Sequence, residues 1–242
     1  MEKTKCLICD KKLNNEEHFL CYEHYKELGG DSNEEYDETL KSFLYSYKQL
    51  KCNSNINNYD NLLNNFVRNY LFLQEFESFK KYQFEILMYL DPKILINFAV
   101  VLSEYINAFE NYNTKIPKHR LYKIPNKPLI VRSNGEYKIA KVLDKNNIKY
   151  TYDKIIKGQK KPHSKFYYLR TDFYLEEKNI YIEFWGMDDK DYQLRRKAKE
   201  ELYKKENHKL ISIENKINDK KMQYIKEYEL EEYLLSEINK RS

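Results

Sequence analysis

The run "IYIEFWG", residues 180–186, constrains the fold of this 242-residue chain more than any other stretch. A strand this apolar lies inside a sheet, covered on both faces. Yet Glu183 stands between Ile182 and Phe184, where an unpaired charge is expensive. Glu183 must therefore be paired with a basic group or hold a cation. Because side chains alternate along a strand, it shares a face with Tyr181 and with Trp185, the chain's only tryptophan.

The neighbouring segments narrow the choice. "SNGEYKIAKVLDKN" reads as a helix, "IKYTYDKII" and "FYYLRTDFYL" as strands, and "NIYIEFW" as a third strand. A basic helix, "DKDYQLRRKAKEELYKKE", and a fourth strand, "KLISIE", follow. The order α-β-β-β-α-β predicts a small mixed sheet with a helix on each side. If the second and third strands form a hairpin across residues 175–179, its centre lies near Glu177. Asp172 and Glu183 then sit five and six residues from that centre, roughly opposite each other. Facing carboxylates repel unless a cation lies between them, and one or two carboxylates with room for water and phosphate suit magnesium. Other readings stand beside this one. Asp172 can pair with Arg170 or a lysine, Glu183 can be half of a buried ion pair, and Ser133-x-x-Glu136 is also a capping box.

Over about residues 129–214 the pattern resembles the PD-(D/E)XK nuclease superfamily, the restriction-endonuclease-like fold. "SNGEYKIAKVL" is similar to that family's first helix, which brings a glutamate to the site, here Glu136. "RTDFYL" and "YIEFWG" resemble the strands that bear its metal-binding aspartate and glutamate, here Asp172 and Glu183. The family's lysine, two residues after that glutamate, is Trp185 in this chain. Some members carry it on the following helix, where "KAKEELY" offers Lys199 one turn before Tyr203, with Lys197 as the next candidate. A solvated helix face is the plain alternative for Lys199. The resemblance implies a nuclease that hydrolyses phosphodiester bonds, expected in DNA. Mg2+ or Mn2+ would be held by Asp172, Glu183 and the Phe184 carbonyl, with Glu136 and Lys199 as further catalytic side chains. It equally allows an inactive nuclease fold that only binds nucleic acid or acts as an adaptor.

The N-terminus carries a second constellation. "CLICDKKLNNEEHFLCYEHY" spaces Cys6-x2-Cys9 eleven residues from Cys21-x2-His24. Two such chelating pairs match a tetrahedral structural zinc site, and with four protein ligands no position stays open for catalysis. His18 can replace His24 only by breaking the paired spacing. Four cysteines in a chain of this length are too few for a disulfide scaffold.

Between these ends, within a region at 31–116, residues 35–112 show helical periodicity, as in Leu40, Phe43, Leu44 and Tyr47 or Leu62, Phe66, Val67 and Tyr70. This reads as a helical spacer or a domain that receives a protein partner. "PKHRLYKIPNKP", residues 117–128, holds three of the five prolines and reads as a linker to a nuclease-like domain at 129–242. The expected architecture is thus α+β: a zinc knuckle at 1–30, an all-α region, and a C-terminal restriction-endonuclease-like domain. Net charge is +5, unevenly spread. The windows 114–132 and 154–170 contain lysine and arginine but no acid, a pattern that suits a polyanion. From the second window Lys160, Lys161, Lys165 and Arg170 are expected to contact nucleic acid. No stretch approaches 18 uncharged apolar residues and "MEKTKCLICDKK" has no signal-peptide core. The expectation is a cytoplasmic protein without membrane contact, nucleoid-associated if the source is bacterial.

Overall fold

The structure is a computed structural model that describes residues 5–9, 11–13, 19–29, 33–52, 59–88, 90–112, 116–157, 168–187, 189–217 and 220–242. Among these residues the chain is α+β, and it divides into two compact units, Met1–Arg132 and Ser133–Ser242.

The first unit opens with a tight loop closed by a Lys5–Lys12 bridge and the Cys6 N–H to Lys11 carbonyl bond of 2.8 Å. Helix α1 (Tyr22–Glu27) follows, and then α2 (Glu34–Cys52), α3 (Tyr59–Leu73), α4 (Glu77–Met88) and α5 (Pro92–Tyr112). Helices α2 and α3 carry the 3.6-residue stripes of Leu40, Phe43, Leu44 and Tyr47 and of Leu62, Phe66, Val67 and Tyr70. Their shared stripe is aromatic: Phe43 stacks on Phe66 at 4.5 Å between ring centroids and meets Phe79 edge-on at 5.6 Å. Such pairs add about 0.5–1.5 kcal/mol beyond the area they bury. The N-terminal loop is not a detached finger. Cys6, Leu7, Phe19, Leu20, Cys21 and Leu28 are buried in the same cluster as the helices, and Phe19 packs edge-on to Tyr47 at 5.4 Å.

Residues 117–128, read from sequence as a linker, belong to this first unit. Lys118–Arg120 forms one 3-10 turn, and β1 (Tyr122–Lys123) pairs antiparallel with β2 (Ile130–Val131). The Tyr105 hydroxyl accepts the Lys123 N–H at 3.1 Å and ties the hairpin to α5. The prolines stiffen turns here rather than a free connection.

In the second unit α6 (Asn134–Lys145), β3 (Thr151–Lys157), β4 (Tyr168–Leu175), β5 (Ile180–Trp185), α7 (Lys190–Lys205) and β6 (Lys209–Glu214) follow the α-β-β-β-α-β order. The four strands form one mixed sheet, β3-β4-β5-β6, antiparallel except between β5 and β6. That parallel pair needs a crossover, and α7 supplies it. Beyond it lie a small hairpin, β7 (Lys216–Ile217) with β8 (Lys220–Lys221), and helix α8 (Glu227–Arg241). Every residue of β5 is buried, as its apolar run demands. Among the described residues no helix is long and apolar enough to cross a membrane.

Candidate active site and metal centre

The hairpin between β4 and β5 turns through Glu176–Lys178, with Asn179 left-handed at φ 53°. Its register pairs Leu175 with Ile180, Tyr174 with Tyr181 and Phe173 with Ile182. One step further along the same register sets Asp172 opposite Glu183. There Asp172 Oδ2 accepts the Phe184 backbone N–H at 2.8 Å, so this carboxylate lies against β5.

Glu183 is 1% exposed, and both of its oxygens are engaged from α7. Lys199 Nζ lies 2.6 Å from Oε2, and the Tyr203 hydroxyl donates to Oε1 at 2.5 Å. Lys199 and Tyr203 stand one helical turn apart, so one face of α7 delivers both groups. Lys197, the next candidate, is exposed. Trp185 packs alongside, its ring centroid 5.6 Å from Lys199 Nζ and 5.3 Å from the Arg196 guanidinium.

Glu136 enters from the first turn of α6. Ser133 caps this helix, its Oγ accepting the Glu136 N–H at 3.1 Å and donating to Glu136 Oε1 at 3.0 Å. The Tyr152 hydroxyl donates to Oε2. Ser133 and Tyr152 thus engage both oxygens of Glu136, and the capping box read from the sequence is formed. Gly135 makes the approach possible: a Cβ there would stand 2.2 Å from the Phe184 ring.

The electrostatics tie these groups together. Burial, and then the charge of Asp172, push the Glu183 carboxyl up to about 8, which Lys199 and Tyr203 only partly offset. Tyr192 is pushed up to about 12, chiefly by burial, against a lowering bond from the Gly186 N–H. The charges of Asp172, Glu183 and Glu136 all add to that rise. The Tyr192 hydroxyl also reaches toward the Phe184 carbonyl, 3.4 Å away. Burial and then Glu183 raise Tyr203 as well. Such a cluster suits a cation, because each added negative charge meets little solvent to screen it.

The N-terminal ligands converge more tightly. Donor atoms of Cys6, Cys9, Cys21 and His24 all lie within 4.8 Å of one another, and this Cys3His group can bind a metal and is compatible with structural zinc. His24 Nδ1 is 3.2 Å from Cys21 Sγ and 3.6 Å from Cys6 Sγ, while Cys9 Sγ is 3.9 Å from Cys21 Sγ. Burial pushes the Cys6 thiol up, yet bonds from the backbone at Cys21, Ile8 and Cys9 bring it down to about 7. Burial raises Cys21 to about 12, which the neighbouring Cys6 thiolate reinforces. Among the described residues no second group of three such side chains converges as closely. Glu136, Asp172 and Glu183 share charge without closing on one point, a looser set than a zinc cage.

Of the residues expected to grip nucleic acid, Lys160, Lys161 and Lys165 lie outside the described residues. The Arg170 side chain is 48% exposed and makes an ion pair with Asp153 at 2.9 Å. The sequence reading passed over Tyr152 and Tyr192, two phenols beside the carboxylates. One signal was available for Tyr192: Asp189 three residues earlier is an N-cap whose Oδ1 accepts the Tyr192 N–H, which sets the start of α7. Compared with protein-family models, curated proteins and solved structures, the chain matches none, so the site is read from its own geometry.

Proposed function

We propose that the second unit is a metal-dependent nuclease of the PD-(D/E)XK type, with a restriction-endonuclease-like fold, acting on phosphodiester bonds in DNA. The observation that carries this reading is that Asp172 and Glu183 face each other across the β4–β5 hairpin while Lys199 reaches Glu183 from α7. The Lys199 ammonium comes from α7 to within 2.6 Å of Glu183, while the family's usual lysine position holds Trp185. When Glu183 ionises, two carboxylates face each other across the hairpin beside one ammonium, and a divalent cation neutralises the charge that remains. Magnesium uses one or two carboxylates and keeps several waters, so Asp172, Glu183 and the Phe184 carbonyl suffice without a converged cage. A bound Mg2+ or Mn2+ would lower the pKa of a water and neutralise charge on the attacked phosphate.

The chain's own groups do the rest in this reading. Lys199 turns from Glu183 toward the attacking water or the developing oxyanion. Tyr203 keeps Glu183 oriented when the ammonium leaves, and Glu136 supports waters at the edge of the site. The Cys3His group of the first unit holds a structural zinc, and that unit selects a substrate or partner. The protein works in the cytoplasm, at the nucleoid if the source is bacterial.

One observation favours a second reading. Both Glu183 oxygens are satisfied without any metal, by Lys199 and by Tyr203. An inactive nuclease fold that binds nucleic acid would look the same. Purified protein incubated with supercoiled plasmid and with single-stranded DNA, in magnesium, manganese or EDTA, separates the two. Cleavage by wild type in metal, lost in EDTA and lost in Glu183→Gln, supports the nuclease. Binding without cleavage under any metal leaves the adaptor.

A further inference from the structure

Strand β5 turns its peptide groups to its two neighbours by turns. The Trp185 carbonyl accepts the Asn215 N–H at 3.0 Å on the β6 side. Alternate residues of a strand face alternate neighbours, so Phe184 turns its N–H and its carbonyl toward β4. The β4–β5 ladder has ended by then, its pair nearest this end being Phe173 with Ile182. The Phe184 N–H goes instead to Asp172 Oδ2 at 2.8 Å. The Phe184 carbonyl thus emerges beyond the ladder on the side of the Asp172 carboxylate, where the proposed nuclease would hold its cation.

Tyr192 reaches this carbonyl from the first turn of α7. Its hydroxyl donates to the Phe184 carbonyl at 3.4 Å and accepts the Gly186 N–H at 3.3 Å, so one phenol bridges two peptide groups at the end of β5. Both ends of the side chain are fixed. Asp189 caps α7, its Oδ1 accepting the Tyr192 N–H at 2.9 Å, and the ring meets Trp185 edge-on with 6.2 Å between centroids. A carbonyl oxygen has two lone pairs, so it accepts from the phenol and still presents one to a cation. A donor held in this way fixes where the remaining lone pair points, as groups that support metal ligands commonly do. We propose that Tyr192 is a positioning residue that aims the Phe184 carbonyl at a divalent cation held with Asp172 and Glu183. This inference rests on the metal site of the proposed nuclease and adds the group that orients one of its ligands.

Manganese is the probe, because free Mn2+ is counted by its paramagnetic resonance signal without any cleavage. The full chain, without DNA, should bind Mn2+ at a site that Asp172→Asn abolishes. Tyr192→Phe keeps the ring and loses the bridge, and should bind the ion at least about 10-fold more weakly, the lower end of what such supporting groups contribute. Its melting temperature in EDTA should stay within a few degrees of wild type, a combination that a merely structural role does not give. With supercoiled plasmid the variant should need correspondingly more Mn2+ and recover at saturation, a shift in metal requirement rather than in maximal rate. Mn2+ binding by Tyr192→Phe equal to wild type, with binding still lost in Asp172→Asn, overturns the role of Tyr192 and leaves the metal site standing. A collapse of its melting temperature in EDTA makes Tyr192 structural and overturns the role as well. A wild type that binds no Mn2+, or an Asp172→Asn variant that binds it equally well, overturns the metal site and the role of Tyr192 together. Weakened Mn2+ binding by Tyr192→Phe in a protein that cuts nothing keeps Tyr192 in its role and overturns the nuclease alone.

Discussion

A carboxyl group that is 1% exposed and titrates at about 8 makes stability depend on pH where most proteins are indifferent to it. The Glu183 pKa rises from 4.5 to about 8 on folding. Its contribution is therefore complete below about pH 4.5 and is lost as pH climbs through about 8. In EDTA the wild type should melt progressively lower between pH 5 and pH 9. Glu183→Gln cannot acquire the charge, so its melting temperature should match wild type at pH 5 and exceed it at pH 9 by several degrees, at about 2–4 °C per kcal/mol. Magnesium should raise the wild-type value at pH 8 and leave the variant unmoved. If the variant instead melts far lower at pH 9, Glu183 is the charged half of a buried ion pair with Lys199. The pair was legible at this scale because strand alternation and hairpin symmetry fix which side chains face each other. Tyr152 and Tyr192 were not, since a tyrosine that packs by its ring and one that aims its hydroxyl leave the same apolar pattern. With 24 tyrosines in the chain, no single one stands out.

At the scale of elements, the site depends on how closely α6 approaches β5. A Cβ at position 135 would meet Phe184 Cζ at 2.2 Å, far inside contact distance and against a ring rather than a flexible tip. Gly135→Ala should therefore cost about 1–3 kcal/mol and push the first turn of α6, with Glu136, away from the sheet. Cleavage should fall more than stability does. Gly135→Ala combined with Phe184→Leu should recover part of both losses, an interaction energy measured by a double-mutant cycle. Simple additivity of the two substitutions would mean the ring is not what α6 leans on. The order of α6, β3, β4, β5, α7 and β6 could be read because each carries its own period. The packing distance between α6 and β5 could not, because it depends on a contact 49 positions apart in the chain. Helix α8 lies outside the α-β-β-β-α-β pattern, although its Leu230, Leu234 and Ile238 repeat at four-residue spacing. The prolines at 125 and 128 suggested a linker because composition alone does not distinguish a free connection from a stiff hairpin rim.

For the whole molecule, the division at residue 132 means that each unit has a core of its own, and only the first carries the Cys3His group. That group is not peripheral: Cys6 and Cys21 belong to the same buried cluster as Phe43, Phe66 and Phe79. Zinc binding by peptides of this ligand type is worth about 10–16 kcal/mol, against a total stability of about 5–15 kcal/mol for a typical domain. Removing the metal should therefore loosen helices α2 and α4 as well as residues 5–29, because Phe19 packs on Tyr47 of α2 and His24 on Tyr82 of α4. Purified protein should contain about one zinc per chain. Cys21→Ser, or a strong chelator, should release it. Hydrogen exchange should then accelerate across the first unit while β4, β5 and β6 of the second keep their protection. A protein prepared without chelators that contains no zinc would falsify the structural-zinc assignment. If zinc is present but its loss speeds exchange only in residues 5–29, the knuckle is an attachment to the helical core and not part of it.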